Sequence, residues 1–114
     1  MKTFSVEFNL CDGEYMTALR LVAGAVASVA NADVDTLEDF KVCVTESAII
    51  LKNCGFERVK GVFDADGVTV SMQGFGGSPV EGDCGLSLAL IGAMVKNCDI
   101  EKKDGIICKV TLKI

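Results

Sequence analysis

Apolar and polar residues alternate strictly in the stretch FSVEFNL, where Phe4, Val6, Phe8 and Leu10 share one side at a period of two. That spacing predicts a half-buried strand. The period then lengthens to steps of three and four, through Tyr15, Leu19, Val22, Val26 and Val29. A helix follows, with Asp12 placed to cap its start and Asn31 suited to its end. The opposite side of this helix is rich in Ala and Gly and permits close packing.

Asp35 with Glu38 three residues later resembles a capping box and predicts a second helix to about Asn53, closed by Gly55. Its buried stripe is Phe40, Val44, Ala48 and Leu51. In FERVKGVFDADGVTVSMQG two alternating runs flank DADG, so a hairpin is expected there. The glycine-rich GFGGSPVEGDCG leads to a third apolar helix, LSLALIGAMVKN. A short strand at CDIEKK and a DG turn precede IICKVTLKI, which places Cys108, Val110, Leu112 and Ile114 inward and Lys109, Thr111 and Lys113 outward.

The predicted order is strand, helix, helix, hairpin, helix, hairpin. Three amphipathic helices that need one apolar surface, beside strands joined mostly as hairpins, specify an α+β two-layer sandwich. The sheet is expected to be mixed but mostly antiparallel, with the three helices on one face and the other face open to solvent or a partner. No internal repeat or linker divides the 114 residues, half of them hydrophobic, and 1–114 reads as one domain.

Charge and composition remove several functions. A net charge of -5 without a basic cluster argues against nucleic acid, since phosphate backbones are bound by grouped Lys and Arg. The N-terminus lacks the continuous apolar core of a signal peptide, and no apolar run reaches membrane-spanning length. A cytoplasmic protein with no membrane association is expected. The six cysteines contain no C-x-x-C pair and the chain has no histidine, so zinc would have to take scattered thiolates or carboxylates. Cysteine as a small buried apolar residue fits KVCVT and IICKV better, and a core of this size has no need of a disulfide framework.

One carboxylate stands out. Glu46 lies in the middle of the apolar run DFKVCVTESAIILKNCGF. The helix that carries it, TLEDFKVCVTESAIILKNCGF, resembles the glutamate-bearing helix of the bacterial anti-sigma factor serine kinases, members of the ATPase superfamily of gyrase, Hsp90 and histidine kinases. EGDCGLSLALIGAMVKNCDIE with DGIICKVTLKI resembles that family's second glycine box, its helix and its closing strands. The resemblance extends over nearly the whole chain and implies a histidine-kinase-like ATPase fold. It also implies ATP and Mg²⁺ as cofactors, with Glu46 as general base and the adenine and phosphates approached by Gln73, Gly74, Gly76 and Gly85.

The chain departs from that family at four places. The family's helix reads Glu-x-x-x-Asn, with the asparagine on Mg²⁺; residues four apart share a helix face. Ile50 occupies that position, and an alkyl group cannot ligate a cation that demands oxygen. Asn53 is a turn further on. The family's adenine-binding aspartate falls in SMQGFGG, where Met72, Gln73 and Gly74 are the alternatives and none is acidic; Gln73 offers a carbonyl oxygen, provided its face is right. Asp83 stands where a glycine is usual, close to Glu81, and a carboxylate at a helix start competes with phosphates. The lid is shortened to about GSPVEGD, with little reach over a triphosphate.

Glu46 therefore has two readings, as a pocket base or as a charge at the solvent edge of its helix that answers Lys41 or Lys60. The glycines from Gly74 to Gly85 are likewise either a phosphate cradle or a surface loop. The resemblance carries the fold further than the activity. The reading it favours is a regulatory protein that works through protein binding, with a sigma factor, an anti-anti-sigma protein or a second copy of itself as partner, and with weak or lost ATP binding. The alternative is an active ATP-dependent serine kinase acting on an anti-anti-sigma protein, with Glu46 taking the hydroxyl proton.

Overall fold

A computed structural model of the chain describes residues 3–66 and 68–113. The elements run β1 (Thr3–Asn9), α1 (Tyr15–Val29), α2 (Val34–Asn53), β2 (Arg58–Asp64), β3 (Thr69–Phe75), α3 (Gly85–Met94), β4 (Asn97–Lys103) and β5 (Ile106–Lys113). The protein is α+β, with three helices and a five-stranded sheet in the order β1-β2-β3-β5-β4 among the described residues.

Every pairing among the described residues is antiparallel, where the sequence reading allowed a mixed sheet. The reason lies in the connections. The chain leaves β1 through two helices, so it enters β2 reversed. It leaves β3 through one helix, which would make β4 parallel to β3, but β4 lies at the edge and β5 takes the place beside β3.

Alternate strand residues form the core face. Val59 and Phe63 on β2, Val70 and Met72 on β3, and Val110 and Leu112 on β5 are buried in one cluster with helix residues. Phe40 of α2 meets Phe63 edge to face, with ring centroids 6.3 Å apart. The α2 stripe Phe40, Val44, Ala48 and Leu51 is fully buried, as its spacing predicts. On α1 the buried line is Tyr15, Leu19, Ala23, Val26 and Ala27. It is displaced from the predicted Val22 and Val29 toward the small residues, because Ala lets α1 lie close to α2; Val29 is 43% exposed.

The helix ends follow local chemistry. At α2 the capping residue is Asp33, not Asp35: its Oδ1 accepts from the Thr36 N–H at 2.7 Å. Asp35 sits inside the first turn, where its charge still suits the helix dipole. The Asp12 carboxylate accepts from the Glu14 N–H at 3.0 Å, forming a turn that leads into α1 rather than a direct cap. Asn31 (φ 58°) and Gly55 (φ 86°) close α1 and α2 in the left-handed conformation. In both, the N–H of that residue and of the one after it donate to carbonyls of the last turn in the Schellman pattern.

Two strand details differ from the alternation read in the sequence. A bulge opposite Glu101 and Lys102 leaves Cys108 without a cross-strand partner, and the inward position before Val110 passes to Ile107. Cys108 is half-buried and its thiol donates to the Glu101 carbonyl at 3.5 Å. At the β2–β3 turn Val68 carries the positive φ of 45° that the DADG sequence assigns to glycine; Gly67 itself lies outside the described residues, as does Ile114.

Candidate functional site

Glu46 stands on the part of α2 that turns from the core toward α3. Both its neighbours, Thr45 and Ser47, are buried; their hydroxyls donate to the Lys41 and Cys43 carbonyls at 2.9 and 2.8 Å, and the Thr45 Oγ1 also accepts from the Arg20 Nε of α1 at 3.3 Å. The Glu46 carboxylate is half-buried and has a partner on α3: the Ser87 hydroxyl donates to its Oε2 at 2.8 Å. Ser87 is 7% exposed and is the one polar side chain in GLSLALIGAM. Neither Lys41 nor Lys60 pairs with Glu46; Lys41 lies 3.5 Å from Glu38 instead.

Ile50, one turn after Glu46, is fully buried and forms part of the core. Asn53 is exposed on the last turn. Neither sets an oxygen beside the Glu46 carboxylate, so the residues present do not fit a Mg²⁺ ion held from this helix.

On β3 the register places Met72 inward and Gln73 outward. Gln73 is exposed on the open face of the sheet, between Lys60 and Lys109 of the neighbouring strands. Glu46 belongs to the helix layer on the other side. Gln73 and Gly74 do share one cavity of about 360 Å³, at the end of the sheet, with Phe56, Pro79, Lys103, Asp104, Ile106 and Cys108. Glu46, Gly76 and Gly85 are not among its lining residues. Gly74 faces inward and its hydrogen stands against the Phe56 ring, so any side chain there would displace that ring.

The glycine segment is largely exposed at the surface, as the surface-loop reading has it, and is pinned at two points by backbone hydrogen bonds. Residues 76–84 form a strap laid across the end of α2. The Val80 N–H donates to the Cys54 carbonyl at 2.8 Å and the Ser78 N–H to the Gly55 carbonyl at 3.2 Å, so the strap satisfies two carbonyls that the helix end leaves open. Its glycines allow that approach: a Cβ on Gly82 would lie 2.5 Å from the Asn53 carbonyl oxygen, and one on Gly77 would collide with that of Gly55. Gly76 turns the chain at φ 70° beside Glu57. At the start of α3 the Gly85 N–H donates to the Asp83 carboxylate at 3.3 Å, so the chain's own anion occupies the position where a phosphate would be received.

Cys84 precedes α3 with its sulfur 3.8 Å from that of Cys54 at the α2 end. Burial pushes the Cys84 thiol up to about 11, helped by the bond to Cys54 and the nearby Asp83. Any lowering by the helix start is outweighed, and Cys84 is a poor thiolate. Burial also pushes the Cys43 thiol up to about 11, with Asp39, Cys98 and Glu46 adding negative surroundings. Among the described residues no group of three His, Cys, Asp or Glu side chains is placed to hold a metal ion.

Sequence reasoning passed over Ser87 and Phe56. A lone hydroxyl within an apolar helix was the available signal, because a buried hydroxyl has to find a partner. A second depression, about 240 Å³, is lined by Phe4, Val6, Val22, Ala25, Val26 and Val29 without a polar group, between edge strand β1 and α1. No helix among the described residues is long and apolar enough to cross a membrane. No protein-family model matches the chain, and no curated protein matches its sequence.

Proposed function

We propose that the protein is a non-catalytic regulatory module, related in design to the anti-sigma factor serine kinases, that acts through protein contacts and binds ATP and Mg²⁺ weakly or not at all. The observation that carries this reading is the Ser87 to Glu46 bond. A general base must be free to take a substrate proton, whereas this carboxylate is engaged by the helix that would otherwise help to shape a phosphate site. The buried Ile50 and the Asp83 carboxylate on the Gly85 N–H agree with it.

The surface that fits a partner is the apolar depression between β1 and α1, where Phe4 and Val29 are 45% and 43% exposed. Apolar area of this kind beside a free strand edge is where proteins associate. The resemblance suggests a sigma factor, an anti-anti-sigma protein or a second copy as the occupant.

Two titrations of isotope-labelled protein followed by NMR test the proposal. Mg-ATP should leave the amide signals of Glu46, Gln73 and Gly85 in place, while a sigma factor or anti-anti-sigma domain should move those of Phe4, Val22 and Val29. Saturable movement of the first set by Mg-ATP would overturn it.

A further inference from the structure

The strap and the helix it covers are joined at one more point besides their two backbone hydrogen bonds. Cys54 caps the C-terminus of α2 and Cys84 stands at the N-terminus of α3, thirty residues later, with the strap between them. Their sulfurs are 3.8 Å apart and both side chains are buried, 1% and 6% exposed. Bringing them to bonding distance needs a closure of roughly 2 Å, within what rotation about two side-chain bonds supplies.

We propose that Cys54 and Cys84 are a reversible redox modification site, whose disulfide fastens the strap of residues 76–84 to the end of α2. The co-reactant is a low-molecular-weight disulfide. One protein thiol, as thiolate, attacks a sulfur of that disulfide, forming a mixed disulfide and releasing one small thiol. The second protein thiolate then attacks the protein sulfur and releases the other. The protein loses two protons and two electrons, and the small disulfide is reduced to two thiols.

The surroundings set the kinetics. Cys84 is the more accessible of the two, its sulfur lies 3.6 Å from the Gly82 carbonyl of the strap, and the strap residues 76–81 are exposed and attached to the end of α2 through Ser78 and Val80. Release of those two bonds opens the way to the sulfurs. Burial also holds Cys84 in its thiol form, so attack is slow at neutral pH and accelerates as pH rises toward 11. Once formed, the bond would hold the strap closed during the same local openings.

The native protein is incubated with oxidised glutathione at pH 8, then alkylated and mapped by mass spectrometry. The expected result is loss of two of the six thiols and a single linked peptide pair containing Cys54 and Cys84. Glutathione carried on Cys11 alone, or a Cys43 to Cys98 link in its place, would overturn the proposal. In a second readout, cleavage after Glu81 by a glutamate-specific protease should slow by roughly tenfold on oxidation and recover with dithiothreitol. A Cys54 to Cys84 bond that left this rate unchanged would refute the fastening. Cys84→Ala, which keeps the site apolar, should show no change of cleavage rate with oxidant, and Cys11→Ser should behave as the wild type.

Discussion

At the scale of single residues, most of what decides the account is how a few polar groups are satisfied. Removing the Ser87 hydroxyl leaves a half-buried carboxylate without its partner, and Ser87→Ala should cost about 1 kcal/mol, near the low end for a charged hydrogen bond because water reaches Glu46. Glu46→Gln keeps an acceptor and should cost less; chemical denaturation of the two variants checks the order. Ile50→Asn, which would introduce the asparagine found at this position in the serine kinases that the helix resembles, puts an amide in a fully buried site and should destabilise by about 3 kcal/mol without creating ATP affinity. Thiol titration is the third residue-level test. Because the folded Cys84 thiol sits near 11 against an ordinary 9.0, native protein should be alkylated at Cys84 about a hundredfold more slowly at pH 8 than an unfolded peptide of the same sequence. The unfolded chain loses that proton first, so this thiol's contribution to stability is complete below pH 9 and is lost as pH rises toward 11.

At the scale of elements, periodicity made the helices and the β2–β3 hairpin legible, and the differences have local physical causes. The α2 start moved from Asp35 to Asp33 because the residue that caps is the one whose carboxylate meets a free N–H three residues on; Asp33 is followed there by Thr36 rather than Glu, so the capping-box pattern points past it to Asp35. That hydrogen bond holds the Asp33 carboxyl below its usual range. Its contribution is therefore present above the ordinary aspartate pKa and is lost as pH falls through the depressed value; Asp33→Asn, which caps without titrating, should flatten the acid side of the stability profile. The β5 alternation failed at Cys108 because a bulge is invisible to a period-two count. The glycine segment was legible as special but not as a strap, since its partners are backbone carbonyls at the end of α2 that carry no sequence signature. Gly82→Ala tests that role: a methyl group 2.5 Å from the Asn53 oxygen should loosen the strap, raising hydrogen exchange at Val80 and Ser78 while leaving β1 and β2 unchanged.

At the scale of the whole molecule, two layers place the residues singled out by resemblance in separate surroundings. Gln73 could be put in register from the sequence only by guessing its face, and the sheet sets it outward, opposite the layer that carries Glu46. Glu46 and the start of α3 do meet, through Ser87 two residues after Gly85, whose hydroxyl ties α3 to the Glu46 carboxylate of α2. Helix order was thus readable because burial imposes it, although α3 ends at Met94 and Asn97, read as its last residue, begins β4; the surroundings of Glu46 depend on a tertiary contact between residues 41 positions apart, which no local pattern shows. The same architecture leaves an apolar depression beside the β1 edge; under the proposed docking at this surface, Val29→Lys should abolish the association measured by sedimentation, with little change in melting temperature because Val29 is already 43% exposed.

The proposed weak or absent nucleotide binding is put to the test by calorimetric titration of the purified protein with Mg-ATP. No saturable heat is expected at high protein concentration. Micromolar binding that requires Mg²⁺ and disappears in Glu46→Ala would contradict it.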